Sequence, residues 1–359
     1  MSARSLKDVL DALTGEGRLD AAGAAEAQQA LQDAGTATPW YLRVMVGFGA
    51  WWAAMFFMGF FSLLTHSKPA ALFFGVVLVV GAILLRRLNR GDFLNQLALA
   101  ASLSGQLLAV FGADLHSLTA GALLVLLMQL VLITFYADRT HRLLSTLVAV
   151  AMIEVLFFDW KWYRGSALLA GVLGIVSIRL WLKETAFVGA GLERVMRPIA
   201  YGLVIAMFGL LLPSIFPPWF DEHNPLGPHL RHAGLSTALL GAGLLYLVHG
   251  LLRERGLPPF GAFALASYAA VLLLMWPAQR APGLIGALIV LLLGFRRGDR
   301  LLMGIALLFL AVFLAAYYYN LSLSLLLKSA ALAGSGAVLL ALRWVLLRQL
   351  PGGETHHAH

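Results

Sequence analysis

Apolar blocks of 15–22 residues recur from near the start of the chain to near its end, and they limit the fold more than any motif does. A helix rises about 1.5 Å per residue, so each block is close to the thickness of a bilayer's hydrocarbon core. Within lipid the backbone N–H and C=O groups must be satisfied inside the segment, which selects helices over open strands. Hydropathy places twelve spans, at 44–64, 70–86, 93–112, 117–136, 143–158, 165–182, 198–216, 233–252, 260–276, 281–295, 301–319 and 321–347. The segments 260–276 and 281–295 are short enough to form a re-entrant pair instead. Composition agrees, with 60% of the 359 residues hydrophobic, 12% charged and a mean hydropathy of +0.83. A soluble domain carries about twice that share of charge. The expected fold is all-α, a polytopic transmembrane helix bundle of about twelve spans with a small N-terminal cytoplasmic helical element.

An even number of spans returns the chain to the side on which it starts, and the basic residues test that count. Twenty of the 26 lysines and arginines fall in segments on the N-terminal side, and five, Lys68, Lys161, Arg164, Arg231 and Arg280, fall opposite. The remaining one, Lys328, lies inside the last span. By the positive-inside rule both termini are cytoplasmic. The net charge of +8 therefore reflects topology, and no nucleic-acid partner is expected. Trp40, Trp160, Trp162, Trp181, Trp219 and Trp276 fall at span ends, where indole rings anchor helices to the membrane interface.

Residues 1–40 form the cytoplasmic element. Leu6, Val9, Leu10 and Leu13 stripe one helix, which Gly15 and Gly17 end, and Asp20 caps a second that runs to Ala34. Two such helices bury too little to fold alone, so they are expected to dock. No cleavable signal precedes the first span. Residues 41–348 are the membrane domain, and 349–359, ending in His-His-Ala-His, are a disordered tail. The Arg-Gly-Asp at Arg90 is echoed by another at Arg297, each leading into a span, which is the pattern of a parallel internal repeat.

Few polar groups lie at membrane depth. Glu154 is about 4 residues, roughly 6 Å, from the non-cytoplasmic end of its span, and Lys328 about 8 residues, roughly 12 Å. A charge there is costly and marks a solute path, a proton relay or a register-fixing ion pair. Gln129 and Asn320 are uncharged polar residues in or near spans, suited to interhelical hydrogen bonds or to lining a substrate path. No phosphate-binding loop, dinucleotide fingerprint, zinc-protease motif or nucleophile–His–Asp pattern is present, so no catalytic residue and no cofactor is expected. Asp221, Glu222, His223, His229 and His232 share the loop 213–232 but match no metal-ligand spacing, and no metal is expected.

The segment Arg296–Ser329, with its run Tyr317–Tyr319, then Leu321, Leu326, Leu327, Lys328 and Ser329, resembles the bacterial membrane-protein family known as domain of unknown function 4401. The stretch from Pro39, Pro-Trp-Tyr-Leu-Arg, resembles that family's entry into its first span. The resemblance implies a multi-pass protein of the bacterial cytoplasmic (inner) membrane. It makes Lys328 and Ser329 parts of a motif. Relatives are often encoded beside a second membrane protein with a Gly-Asp-Tyr signature, which implies a partner besides the lipid bilayer.

The leading expectation is a transporter or flippase-like protein for a small or lipid-linked anionic solute. Lys328 would be the cavity's positive charge, with Glu154 its counter-ion and Ser329, Asn320 and Gln129 lining groups. The alternative is a non-transporting accessory subunit whose lysine pairs with a partner's carboxylate. A membrane enzyme acting on lipids through Asp159, Asp221, Glu222 or His223 comes third.

Overall fold

The computed structural model describes residues 67–88, 92–113, 117–136, 138–162, 164–215 and 233–320, with single helical positions at 23, 45, 48, 49, 52, 55, 56, 59, 329, 333 and 340. The N-terminal element, the first and twelfth expected spans, the loop after 215, Lys328 and the tail lie outside the described residues or touch them only at those single positions. The described residues form eleven α-helices and no strand: α1 Lys68–Leu88, α2 Asp92–Gly112, α3 Leu118–Phe135, α4 Arg139–Asp159, α5 Gly165–Leu182, α6 Glu184–Gly189, α7 Glu193–Leu211, α8 Ala233–Glu254, α9 Ala262–Ala278, α10 Gly283–Arg297 and α11 Arg300–Asn320. Ten of the twelve expected spans coincide with these helices. Eight helices are long and apolar enough to cross a membrane; α9, of 17 residues, is shorter. α10 is shorter still, at 15 residues.

The chain divides into two compact units, Met1–Asp114 and Leu115–His359. In the first, α1 and α2 form an antiparallel hairpin whose closest contacts are made through glycines. A Cβ on Gly105 would stand 2.8 Å from the Gly75 carbonyl oxygen, and one on Gly75 or Gly112 would strike the backbone of Ala109 or Leu72. Gly75 and Ala82 on α1, and Ala98, Gly105 and Gly112 on α2, repeat every seven residues and are all buried. That spacing keeps one seam of small residues facing the partner, so the helices touch backbone to backbone. The outer face of α1 carries Phe73, Phe74, Val77, Val80 and Leu84, all exposed, as a lipid-facing surface requires.

In the second unit the core is built from α5, α7, α8, α10 and α11, around Trp181, Ile178, Met207, Phe208, Leu240, Ile289 and Phe313. Gly171 and Gly174 of α5 receive Leu239 and Leu240 of α8, while Gly243 of α8 receives Ile178, so these two helices run parallel. Trp181 packs edge-on against Tyr201 at 5.1 Å, which sets α7 antiparallel to α5. Phe208 stacks on Phe309 at 4.1 Å beside α11. These registers reverse direction at each successive long helix, the alternation that a multi-pass chain needs. They also collect Arg142, Arg194, Arg197, Arg253, Arg296 and Arg297 at one end of the unit.

Helix α7 starts at Glu193, five residues before the expected span, and carries Pro198 in its interior. Proline has no N–H, so the Arg194 carbonyl loses its partner four residues on. The buried Arg142 side chain supplies it. Its Nη1 donates to Arg194 O at 3.2 Å, and its Nε donates to Ile133 O, near the end of α3, at 3.0 Å. One guanidinium thus satisfies two carbonyls that helix geometry leaves open.

Candidate functional site

At the arginine-rich end of the second unit a two-residue turn, Gly298 and Asp299, joins α10 to α11. Gly298 adopts φ 66°, the left-handed conformation that ends a helix, and the Asp299 amide donates back to Gly294 O at 3.1 Å. The Asp299 carboxylate then caps α11, accepting from the Leu301 and Leu302 amides at 3.0 and 3.1 Å. Its other oxygen accepts from Tyr201 Oη at 2.5 Å and from Arg197 Nη2 at 3.2 Å. Burial pushes this carboxyl up, but the bonds from Tyr201, the Leu302 amide and Arg197 outweigh burial and hold it below the ordinary aspartate value.

Further ion pairs surround the turn. Arg297 pairs with Glu184 of α6, and Arg197 reaches Glu193 at 3.5 Å within α7. Arg296 grips Glu254 of α8 with two bonds, of 2.9 and 2.6 Å. Between these groups opens a cleft of about 360 Å³ lined by Glu184, Thr185, Val188, Arg197, Arg297, Gly298 and Asp299. An adjoining pocket shares Glu184 and Arg197 and is floored by Trp181, which is 2% exposed. Among the described residues, neither Trp181 Nε1 nor Arg297 Nε has a hydrogen-bond acceptor.

The residues singled out from sequence are not gathered here. Glu154 lies near the opposite end, on α4, where Ser166 of α5 donates to its Oε1. Its Oε2 is buried and has no hydrogen-bond partner among the described residues. Beside it, Asp159 accepts from Thr119, which in turn accepts from Trp160 Nε1 at 3.1 Å. That pairing fixes the α3–α4 register and puts the buried Gln129 level with Ala149, about 7 Å along the axis from Glu154. Gln129 and Glu154 are therefore not neighbours. Asn320 closes α11, its side chain outside the described residues, and Ser329 is an exposed helical position. The expected Glu154–Lys328 pair lies outside the described residues because Lys328 does.

Sequence reasoning passed over Tyr201 and Glu184, met Asp299 only within the Arg-Gly-Asp echo at Arg297, and read Trp181 as an interface anchor, whereas it is buried in the core. The arginines near them entered only as a topology count. The signal was present in the acids: Glu184, Glu193 and Asp299 stand on the side where cations prevail, each beside an arginine or lysine in sequence.

Long apolar helices of alternating direction, with charge gathered at their ends, define a multi-pass helical membrane protein in a lipid bilayer. Within that class the chain belongs to the family described as Domain of unknown function (DUF4401), whose model matches residues 39–349. This is the family that the Tyr317–Ser329 motif resembled. No curated protein and no solved structure matches the chain.

Proposed function

We propose that this protein moves a small or lipid-linked anionic solute across the bacterial cytoplasmic membrane, with its arginine-rich end and both termini in the cytoplasm. The observation that carries the reading is Glu154. One carboxylate oxygen is held by Ser166, while the other is buried at membrane depth without a partner among the described residues. A carboxylate so placed is costly at membrane depth, and intramembrane carboxylates mark solute paths and proton relays. Proton uptake on one side and release on the other can drive an anion. Lys328, in the family-like motif, is the proposed partner of that anion. The positive-inside rule supports the orientation, because the ends that meet in the second unit carry most of its arginines.

The test is proton flux. Purified protein is reconstituted in liposomes holding a pH-sensitive dye, and inorganic phosphate, sulfate and short-chain phospholipids are added outside. Solute-dependent internal pH change is expected, lost in Glu154→Gln and Lys328→Met. A response equal to empty liposomes for every solute, or an undiminished one in Glu154→Gln, defeats the reading.

The alternative, an accessory subunit, draws on α1, where only Ala71, Gly75 and Ala82 of 21 residues are buried and an aromatic face is left outward. Co-purification of a second membrane protein in mild detergent, lost on substituting Phe73 and Phe74 by alanine, supports it. Recovery of the chain alone counts against it.

A further inference from the structure

We infer that the outward face of α5 and α8, at the arginine-rich end of the second unit, holds the phosphate of an anionic phospholipid at Arg179 and Tyr246. The site is independent of the Glu154 transport reading. Its centre is a cation on the lipid-facing surface. Val172, Ile175 and Val176 of α5 are exposed and apolar, and Arg179 continues their stripe one turn further on, also exposed. Arg179 stands three residues before Leu182, the end of α5, roughly 4.5 Å inside the helix. Near the end of a span acyl chains give way to headgroups, and long basic side chains reach toward that boundary.

This guanidinium is held in place on the surface. Its central carbon lies over the Tyr246 ring of α8, 5.1 Å from the centroid. Tyr246 is 48% exposed, so the pair sits on the outside of the bundle. Contact with a ring orients a guanidinium and leaves its N–H groups to donate elsewhere. Among the described residues the Arg179 side chain makes no hydrogen bond or ion pair, and the Tyr246 hydroxyl makes no hydrogen bond. Both groups are open to an acceptor that arrives from the membrane.

Charge selects that acceptor. α5 and α8 run parallel, so Lys183, one turn beyond Arg179, and Arg253, two turns beyond Tyr246, extend the two stripes toward the same end. Both are exposed, and neither has an ion pair among the described residues. Their sequence neighbours Glu184 and Glu254 are already taken by Arg297 and Arg296. The face therefore ends in three uncompensated cations beyond an apolar strip. An anionic phospholipid matches both parts, with its phosphate on Arg179 and its acyl chains along Val172, Ile175 and Val176.

The full chain in dodecyl maltoside micelles is titrated with phosphatidylglycerol, phosphatidylcholine or inorganic phosphate and unfolded by heat, with circular dichroism as the readout. A saturable rise in Tm is expected with phosphatidylglycerol alone. Arg179→Gln is expected to raise the half-saturating concentration about tenfold, as loss of one charge-assisted hydrogen bond should. Its lipid-free Tm should stay unchanged, because the side chain is exposed. Tyr246→Leu keeps apolar contact but releases the guanidinium, and should raise that concentration about threefold. Arg179→Lys, which keeps the charge and loses the planar fork, serves if Arg179→Gln fails to fold, with a smaller effect in the same direction. Arg164→Gln removes an equal charge from the opposite end of α5 and should bind as the natural chain does. An equal rise with phosphatidylcholine or inorganic phosphate, no rise at all, or equal weakening in Arg164→Gln and Arg179→Gln overturns the site.

Discussion

The Tyr201 hydroxyl donates to the Asp299 carboxylate at 2.5 Å, tying the body of α7 to a turn 98 positions further along the chain. The same carboxylate caps α11, so one side chain joins α7 to the start of α11. Asp299→Ala is expected to destabilise the protein by about 2–4 kcal/mol, combining a lost cap with stranded partners. Tyr201→Phe, which removes only one bond, should cost about 1 kcal/mol. Thermal unfolding in detergent measures both.

Asp299 also predicts a pH dependence. Its carboxyl is depressed in the folded state, so its contribution is complete above the unfolded aspartate pKa of about 4. The contribution is lost as pH falls through the lower folded value, where protonation removes the charge that Arg197 and the amides hold. Tm should therefore drop below about pH 4, and more shallowly in Asp299→Asn. Equal slopes in the two proteins would mean that other carboxylates govern acid unfolding.

Arg142 and Pro198 form a coupled pair through the Arg194 carbonyl. Arg142→Met is expected to cost about 2 kcal/mol, because it leaves the Arg194 and Ile133 carbonyls unpaired. In a Pro198→Ala background the new N–H can return to Arg194 O, and the loss should shrink by about 1 kcal/mol. A double-mutant cycle measures that difference. Strict additivity would show that Pro198 leaves no open carbonyl.

Lys161 has φ 54°, the only non-glycine residue in the left-handed region among those described. It ends α4, with the Trp162 amide donating to Phe157 O at 2.9 Å and the two rings in edge contact at 4.7 Å. Glycine is at ease in that conformation, so Lys161→Gly should raise stability by about 0.5–1 kcal/mol. A β-branched Lys161→Val should lower it by a similar amount or more. Both follow from Tm.

Glu154 sets stability against activity. Replacing it by methionine removes a buried oxygen without a partner, and should raise Tm by an amount worth about 1 kcal/mol while abolishing proton-linked flux. A lower Tm together with intact flux would make Glu154 a structural residue.

Much of the architecture was legible in the sequence, and the reason is physical. Lipid demands long uninterrupted apolar segments, so hydropathy alone placed 165–182 on Gly165–Leu182 and 117–136 on Leu118–Phe135. The start of α7 was misjudged because Arg194 and Arg197 read as a loop and Pro198 as the first residue of the span, whereas an arginine from another helix repairs the proline's missing bond. The cleft was not legible at all. Its groups come from α6, α7 and the α10–α11 turn, and nothing in one sequence says which helices are neighbours. Glu154 was found by its depth alone. Ser166, which holds it, carries no signal of its own in the sequence.

The glycine seam between α1 and α2 bears on how this part of the molecule can move. Where the two backbones touch, no layer of side chains intervenes, and Gly75, Gly105 and Gly112 are each keyed to particular backbone atoms of the other helix. Sliding by even one residue would bring a residue with a Cβ to contacts that only a glycine fits. The pair is therefore a single stiff strut in mechanical terms, and a force applied to either helix is delivered through both.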